Sequence, residues 1–255
     1  MTASGTFFGD GRILGGRAML RSARNPGTIL GAVVFPVLFF ALFNLVLRRI
    51  MEARGFDYRQ LLPPTIVVQA MLFAAMASAY YVADDRRSGV IARFRSLPIH
   101  RSAPLVGRSV GDLSRAAVSA VIITGLGLAT GMRFERGWIW ALAFLGLALL
   151  FSLAVSLGMG LIGYSAPTPE AASSIASTPY LPLIMLSSGF APVEDFPDWL
   201  EPVVRYQPVS ATIDALRATT GRGDLADTLP LALAWCVGLG VLFAALGGRA
   251  LERAT

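Results

Sequence analysis

His100 and Cys236 are the only histidine and the only cysteine in a chain of 255 residues, and all 22 basic residues are arginine. Those counts close off most chemistry. A Walker-type phosphate loop needs a lysine for the terminal phosphates. Schiff-base and pyridoxal catalysis need a lysine amine. One cysteine forms no internal disulfide, and one cysteine with one histidine do not furnish a zinc site of the usual kind. A Ser-His-Asp triad would have to use His100, which lies in a basic stretch with no nucleophile motif beside it. The inventory predicts no catalytic residues, no metal site and no cofactor held by this chain. Its energy must then come from an ion gradient or a partner.

The elements that position the remaining polar residues follow from composition. Hydrophobic residues make up 55% of the chain and charged residues 15%, against about 25% charged in a soluble domain. Uncharged runs cover 25–47, 60–83, 116–132, 137–169, 171–193 and 228–248. A helix needs about 20 apolar residues to cross ~30 Å of hydrocarbon. The pattern excludes a soluble globule, a disordered chain, a nucleic-acid-binding domain and a disulfide-stapled module. The net charge of +6 is what basic loops of a membrane protein give.

The fold expected is all-α, a single polytopic membrane domain over 1–255. Six crossings are predicted at about 28–47, 63–83, 111–130, 138–162, 173–190 and 229–248. The first holds fourteen Leu, Ile, Val or Phe in twenty residues, worth roughly −4 to −8 kcal/mol on the insertion scale. That outweighs Pro36 and Asn44. Pro63-Pro64 suit a helix first turn. Arg115 is expected to snorkel from one end of the third crossing. Trp138 and Trp140 mark an interface at the fourth. The apolar start at residue 25 follows four arginines and is long enough to span, so it reads as a crossing rather than a cleaved leader.

With the N-terminus in the cytoplasm, internal segments carry twelve arginines and external ones nine. Both termini are therefore expected inside. Residues 7–24 read either as an interfacial helix, with Ile13, Leu14, Met19 and Leu20 among arginines, or as a solvated basic tail.

Two segments between crossings are patterned. In 84–98, Asp84 and Asp85 are expected at a helix start, facing its positive end. Val90, Ile91, Phe94 and Leu97 then recur at helical spacing, and Pro98 stops the helix. Arg86, Arg87, Arg93 and Arg95 surround that apolar ridge. It suits either the membrane surface or a groove on a cytoplasmic partner. In 187–228, Pro192, Pro197, Pro202 and Pro208 cut the chain into short pieces. A helix start is expected at Pro197-Asp198-Trp199-Leu200. A second helix is expected from Pro208 to Thr219, with Val209, Ile213 and Leu216 on one face. Two such helices outside the membrane form a partial re-entrant cap over 191–220; the other reading is a surface Ω-loop.

These residues resemble the permease subunits of ABC-2 type transporters. The matching positions are Asp85, Arg86, Gly89 and Pro98, then Ser188, Gly189, Pro192, Pro197, Trp199, Leu200, Pro202, Pro208 and Arg217. Arg93-Phe94-Arg95-Ser96-Leu97-Pro98 and Gly131-Met132-Arg133-Phe134-Glu135-Arg136-Gly137 look most like the daunorubicin/doxorubicin-resistance branch from actinobacteria. Val90 stands where many relatives have Thr. The resemblance implies that ATP and Mg are bound by a separate ABC ATPase subunit. It also implies that two permease subunits, identical or paralogous, pair in the cytoplasmic membrane, surrounded by membrane lipid. Residues 84–98 and the N-terminal helix then contact the ATPase.

From this follow the expected roles. Asp85, Arg86, Arg87, Gly89, Ile91, Arg93, Phe94, Arg95, Leu97 and Pro98 couple to the ATPase. Asn44, Thr65, Gln69, Ser187 and Ser188 are candidates for the substrate path, with Ser78 and Thr178 as further polar positions. Gly189, Pro192, Pro197, Trp199, Pro208 and Arg217 form an external gate. Isolated Ser and Thr in a crossing often bond their own backbone. An amide in hydrocarbon needs a partner or water, which singles out Asn44 and Gln69. Tyr80 and Tyr81 read as an interfacial anchor, and Phe35, Phe39, Phe40 and Phe43 as packing. Gly127 and Gly131 form a GxxxG contact pair. No crossing carries a central charge, so the expected cargo is an amphipathic drug or lipid; the resemblance implies that it is exported. A proton-driven transporter needs carboxylates inside the membrane, and Asp112 and Glu170 sit at the predicted edges. A non-transport membrane scaffold is the third reading.

Overall fold

A computed structural model of the chain describes residues 33–90 and 103–253. Residues 7–24 and 28–32, and Ile91, Arg93, Phe94, Arg95, Leu97 and Pro98, lie outside the described residues. Among the described residues the regular elements are helices. They are α1 (Phe35–Ala53), α2 (Tyr58–Arg87), α3 (Ala103–Ala129), α4 (Ile139–Ser165), α5 (Pro169–Ser177), α6 (Tyr180–Met185), a 3₁₀ turn (Val193–Asp195), α7 (Glu201–Tyr206), α8 (Pro208–Thr220) and α9 (Leu225–Arg253).

Helix α2 is the axis of the molecule. Nineteen of its thirty residues are buried, and they fall on every side of the helix. A helix apolar all round belongs inside a bundle, and α2 packs against α1, α3, α4, α5 and α8. Gly127 lets α3 approach it closely, since a Cβ there would lie 2.8 Å from Pro63 Cβ. Its GxxxG partner Gly131 ends α3 instead, at φ +109°. The outer ridges of the bundle are apolar. Leu38, Leu42 and Leu45 on α1 and Leu233, Val237 and Val241 on α9 are exposed. Lipid is the solvent such faces fit. Along α1, Phe35 stacks on Phe73, and Phe43 meets Phe190 at a tilt.

Four described helices are long and apolar enough to cross a membrane: Tyr58–Arg87, Gly107–Ala129, Ile139–Ser165 and Leu225–Gly247. They match the expected second, third, fourth and sixth crossings, with longer ends. Helix α1 carries on past the predicted end at 47, through Arg48 and Arg49, to Ala53. The expected crossing at 173–190 is not one helix. It is α5 and α6, separated at Thr178-Pro179. Nine and six residues reach about 14 and 9 Å at 1.5 Å each. Pro179 and Pro182 supply no N–H to the carbonyls of Ile175 and Thr178, so the ladder stops there.

Three local expectations also change. Helix α2 starts at Tyr58, so Pro63 and Pro64 lie inside it rather than in its first turn. It runs on through Arg87, so Asp84 and Asp85 sit in a last turn rather than at a helix start. Helix α3 begins at Ala103, which places Asp112 and Arg115 well within it. Arg115 does not snorkel: it is buried and paired with Asp112.

Candidate functional site

Helix α8 forms where the sequence expects it, with Pro208 opening it and Gly221 closing it at φ +110°. Its surroundings differ from the expectation. It is buried on nearly every face and packs against α2, α4 and α9. It lies within the bundle, while α7 beside it lies on the surface, with Trp199 76% exposed just ahead of it. The expected cap over 191–220 is therefore two unlike pieces.

At the inner side of α8 a polar network joins three elements. Arg217 Nη1 donates to Ser188 O at 2.8 Å, and Nη2 donates to Gly189 O at 3.1 Å and to Thr65 Oγ1 at 3.1 Å. Thr65 Oγ1 itself donates to Gly189 O at 3.2 Å. One turn earlier on α8, Asp214 lies 3.3 Å from Arg217 Nη1 and accepts from Ser188 Oγ at 2.9 Å. Ser210 Oγ accepts from Ser188 N at 3.0 Å, and the Gln207 amide donates to Leu186 O. Burial pushes the Asp214 carboxyl above its ordinary range, against the opposing pull of Arg217 and the Ser188 hydroxyl. Gly189 is needed for the approach, since a Cβ there would lie 2.7 Å from Thr65 Cγ2 and 3.1 Å from Ile213 Cδ1.

The segment Gly131–Gly137 braces the same helix from outside. Gln60 Nε2 donates to Arg133 O at 3.0 Å, Glu135 N donates to Thr220 O at 3.2 Å, and Arg136 Nε donates to Ala218 O at 3.1 Å. Arg222 and Asp57 pair at 2.6 Å.

The structure thus brings together residues expected in two groups: Thr65 and Ser188 from the path, Gly189 and Arg217 from the gate. Ser187 is buried beside them, donating to Ile184 O at 2.6 Å. Gln69 is also buried, at 2% exposed, with the Tyr180 side chain as its neighbour. Asn44 is half-buried on α1. Pro192 and Pro208 are half-buried; Pro197 and Trp199 are exposed and make no contact in this network. Ser78 faces α3, donating to Asp112 at 2.9 Å, and Thr178 bonds back to Ser174 O.

Of the coupling residues that are described, Asp85 pairs with Arg108 at 2.8 Å. Arg86 donates to the Tyr164 carbonyl, Arg87 is exposed, and Gly89 takes φ +71°. Sequence reasoning missed Asp214, Ser210 and Gln207. A carboxylate three residues before an arginine, on an otherwise uncharged helix, is the available signal.

Comparison with known proteins gives a consistent answer. The family model described as ABC-2 type transporter matches residues 11–220. The chain is 30% identical over 238 residues to the probable doxorubicin resistance ABC transporter permease protein DrrC of Mycobacterium tuberculosis, covering 89% of this chain and 83% of that one. It is 27% identical over 237 residues to the daunorubicin resistance ABC transporter permease protein DrrB1 of Streptomyces coeruleorubidus, covering 91% and 82%. It is 25% identical over 195 residues to the inner membrane transport permease YadH of Escherichia coli, covering 74% of each.

Proposed function

Because the chain belongs to the ABC-2 type transporter family, we propose that it is the permease subunit of an ATP-driven exporter that moves an amphipathic drug or lipid out across the cytoplasmic membrane. It is a multi-pass membrane protein, and both termini are read as cytoplasmic. A separate ABC ATPase subunit binds ATP and Mg and docks on 84–98, with Phe94 and Leu97 in its groove and Arg86, Arg87, Arg93 and Arg95 setting position. A second permease, identical or paralogous, completes the path. The names of the two drug-resistance relatives favour a drug or a molecule of similar character as cargo.

The observation that carries this reading is the Arg217 network. A long central helix, α2, holds at one end the loop that receives the ATPase. Toward its other end it holds Thr65, which is bonded to the residue pair Gly189 and Arg217. A push on the inner end of α2 reaches α8 through those bonds. We assign the network as the closed external gate, with Asn44, Thr65, Gln69, Ser187 and Ser188 along the path it closes.

The test is reconstitution. Permease and ATPase in proteoliposomes should hydrolyse ATP faster when a planar amphipathic drug is added, and the drug should accumulate on the side opposite the ATPase. Hydrolysis that ignores every drug and lipid offered contradicts the reading.

One observation favours a second reading. Asp112 lies inside α3 rather than at its edge, and a proton-driven transporter needs a carboxylate inside a crossing. Its ion pair with Arg115 argues against free proton exchange. Transport that collapses with the proton gradient while ATP stays high would favour that reading.

A further inference from the structure

Helices α2 and α3 lead into and out of the segment 88–102 and pack against each other. Two layers of charge join them. In the first, Arg108 Nη2 on α3 meets Asp85 Oδ2 on α2 at 2.8 Å. In the second, one turn further along α3, Asp112 accepts from Ser78 Oγ on α2 at 2.9 Å and pairs with Arg115 on its own helix. The Arg115 guanidinium in turn sits over the Tyr81 ring of α2, 5.2 Å from its centre. The side chains of Asp112 and Arg115 are 6% and 8% exposed.

A pair buried this deeply is a poor source of stability, because desolvation of two ions offsets most of their attraction, and apolar side chains of the same volume hold helices together at least as well. What the pair adds is direction. Each of its two members meets α2, the carboxylate at a hydroxyl and the guanidinium at a ring face. A slip of α2 along α3 breaks both contacts and leaves two charges buried without those neighbours on α2.

We infer that Asp112 and Arg115 are positioning residues that lock α2 and α3 in one register, so that the segment between them moves both helices as a single body. The inference rests on the reading that 84–98 receives the ATPase, since that is where the force enters. Gly89, at φ +71°, and the turn around it stand on one side of the lock. On the other, α2 runs unbroken from Ser78 to Thr65, thirteen residues or about 20 Å, where the Arg217 network begins. Without the lock, a push on 84–98 is absorbed as sliding between α2 and α3 and does not arrive at Thr65.

The experiment uses full-length permease with its ATPase in proteoliposomes. Asp112→Asn and Arg115→Gln should still bind the ATPase and hydrolyse ATP at the basal rate, yet lose drug transport. Ser78→Ala, which keeps the ion pair and removes only the hydroxyl donor, should lower the ratio of drug moved to ATP hydrolysed. In a Cys236→Ala background, Ser78→Cys with Asp112→Cys should be inactive as thiols and recover transport when a short bis-thiol reagent joins the two helices. A general packing role does not give that recovery. Parental transport in Asp112→Asn, or an unchanged transport-to-hydrolysis ratio in Ser78→Ala, overturns the lock. Failure of the docking reading looks different: Phe94→Asp with Leu97→Asp would leave the ATPase bound and transport intact, whatever happens at Asp112.

Discussion

Arg217 on α8 donates to Thr65 on α2 at 3.1 Å, across 152 residues of sequence. That bond joins α8 to the axis of the bundle. The same guanidinium also holds the carbonyls of Ser188 and Gly189. Arg217→Met removes the donor to four acceptors at once, the Asp214 carboxylate among them. The expected loss is about 1–3 kcal/mol of stability, read as a lower thermal midpoint in detergent, together with loss of drug transport. Thr65→Val should cost about 1 kcal/mol. A thermal midpoint unchanged in Arg217→Met would show that the network is not holding α8.

Gly189 sits where a methyl group has no room. Gly189→Ala sets a Cβ 2.7 Å from Thr65 Cγ2, and overpacking of this kind costs about 1–3 kcal/mol. We expect a lower midpoint and a weakened gate, seen as leak of a fluorescent drug from loaded vesicles. Thr65→Ser in the same chain removes the clashing methyl and should restore part of both.

Trp199 is exposed and makes no contact in the Arg217 network. Trp199→Ala should leave stability within about 0.5 kcal/mol of the parent. Its indole suits the headgroup region, so in the parent brominated lipid should quench a fluorescence component that Trp199→Ala removes. Quenching identical in the two proteins contradicts that placement.

The helices were legible in the sequence to the extent that local chemistry decides them. Helix α8 was read within one residue, because Pro208 and Gly221 fix its ends. The four long helices were read from apolar runs, and their true ends run further because Arg86, Arg87 and Arg108 continue a helix as readily as they end one. The break at Thr178-Pro179 was hidden by an apolar composition, although Pro179 and Pro182 already carried the signal. The dipole rule places Asp84 and Asp85 at a helix start, whereas in the structure Arg108 pairs with Asp85 at a helix end. The site was legible only as a set of residue types. That Thr65, Ser188, Gly189 and Arg217 form one network, and that Asp112 and Arg115 are buried against α2, depends on which helices pack together, and one sequence does not encode that in its spacing.

The central claim is that a separate motor engages the segment between α2 and α3 from inside the cell. The direct measurement places a single cysteine at Ser96 in a Cys236→Ala chain and labels it with a membrane-impermeant maleimide. Inside-out vesicles should be labelled, right-side-out vesicles should not, and added ATPase subunit should protect the site. Labelling from the outer face, or labelling from the inner face that the ATPase leaves unchanged, would contradict the account.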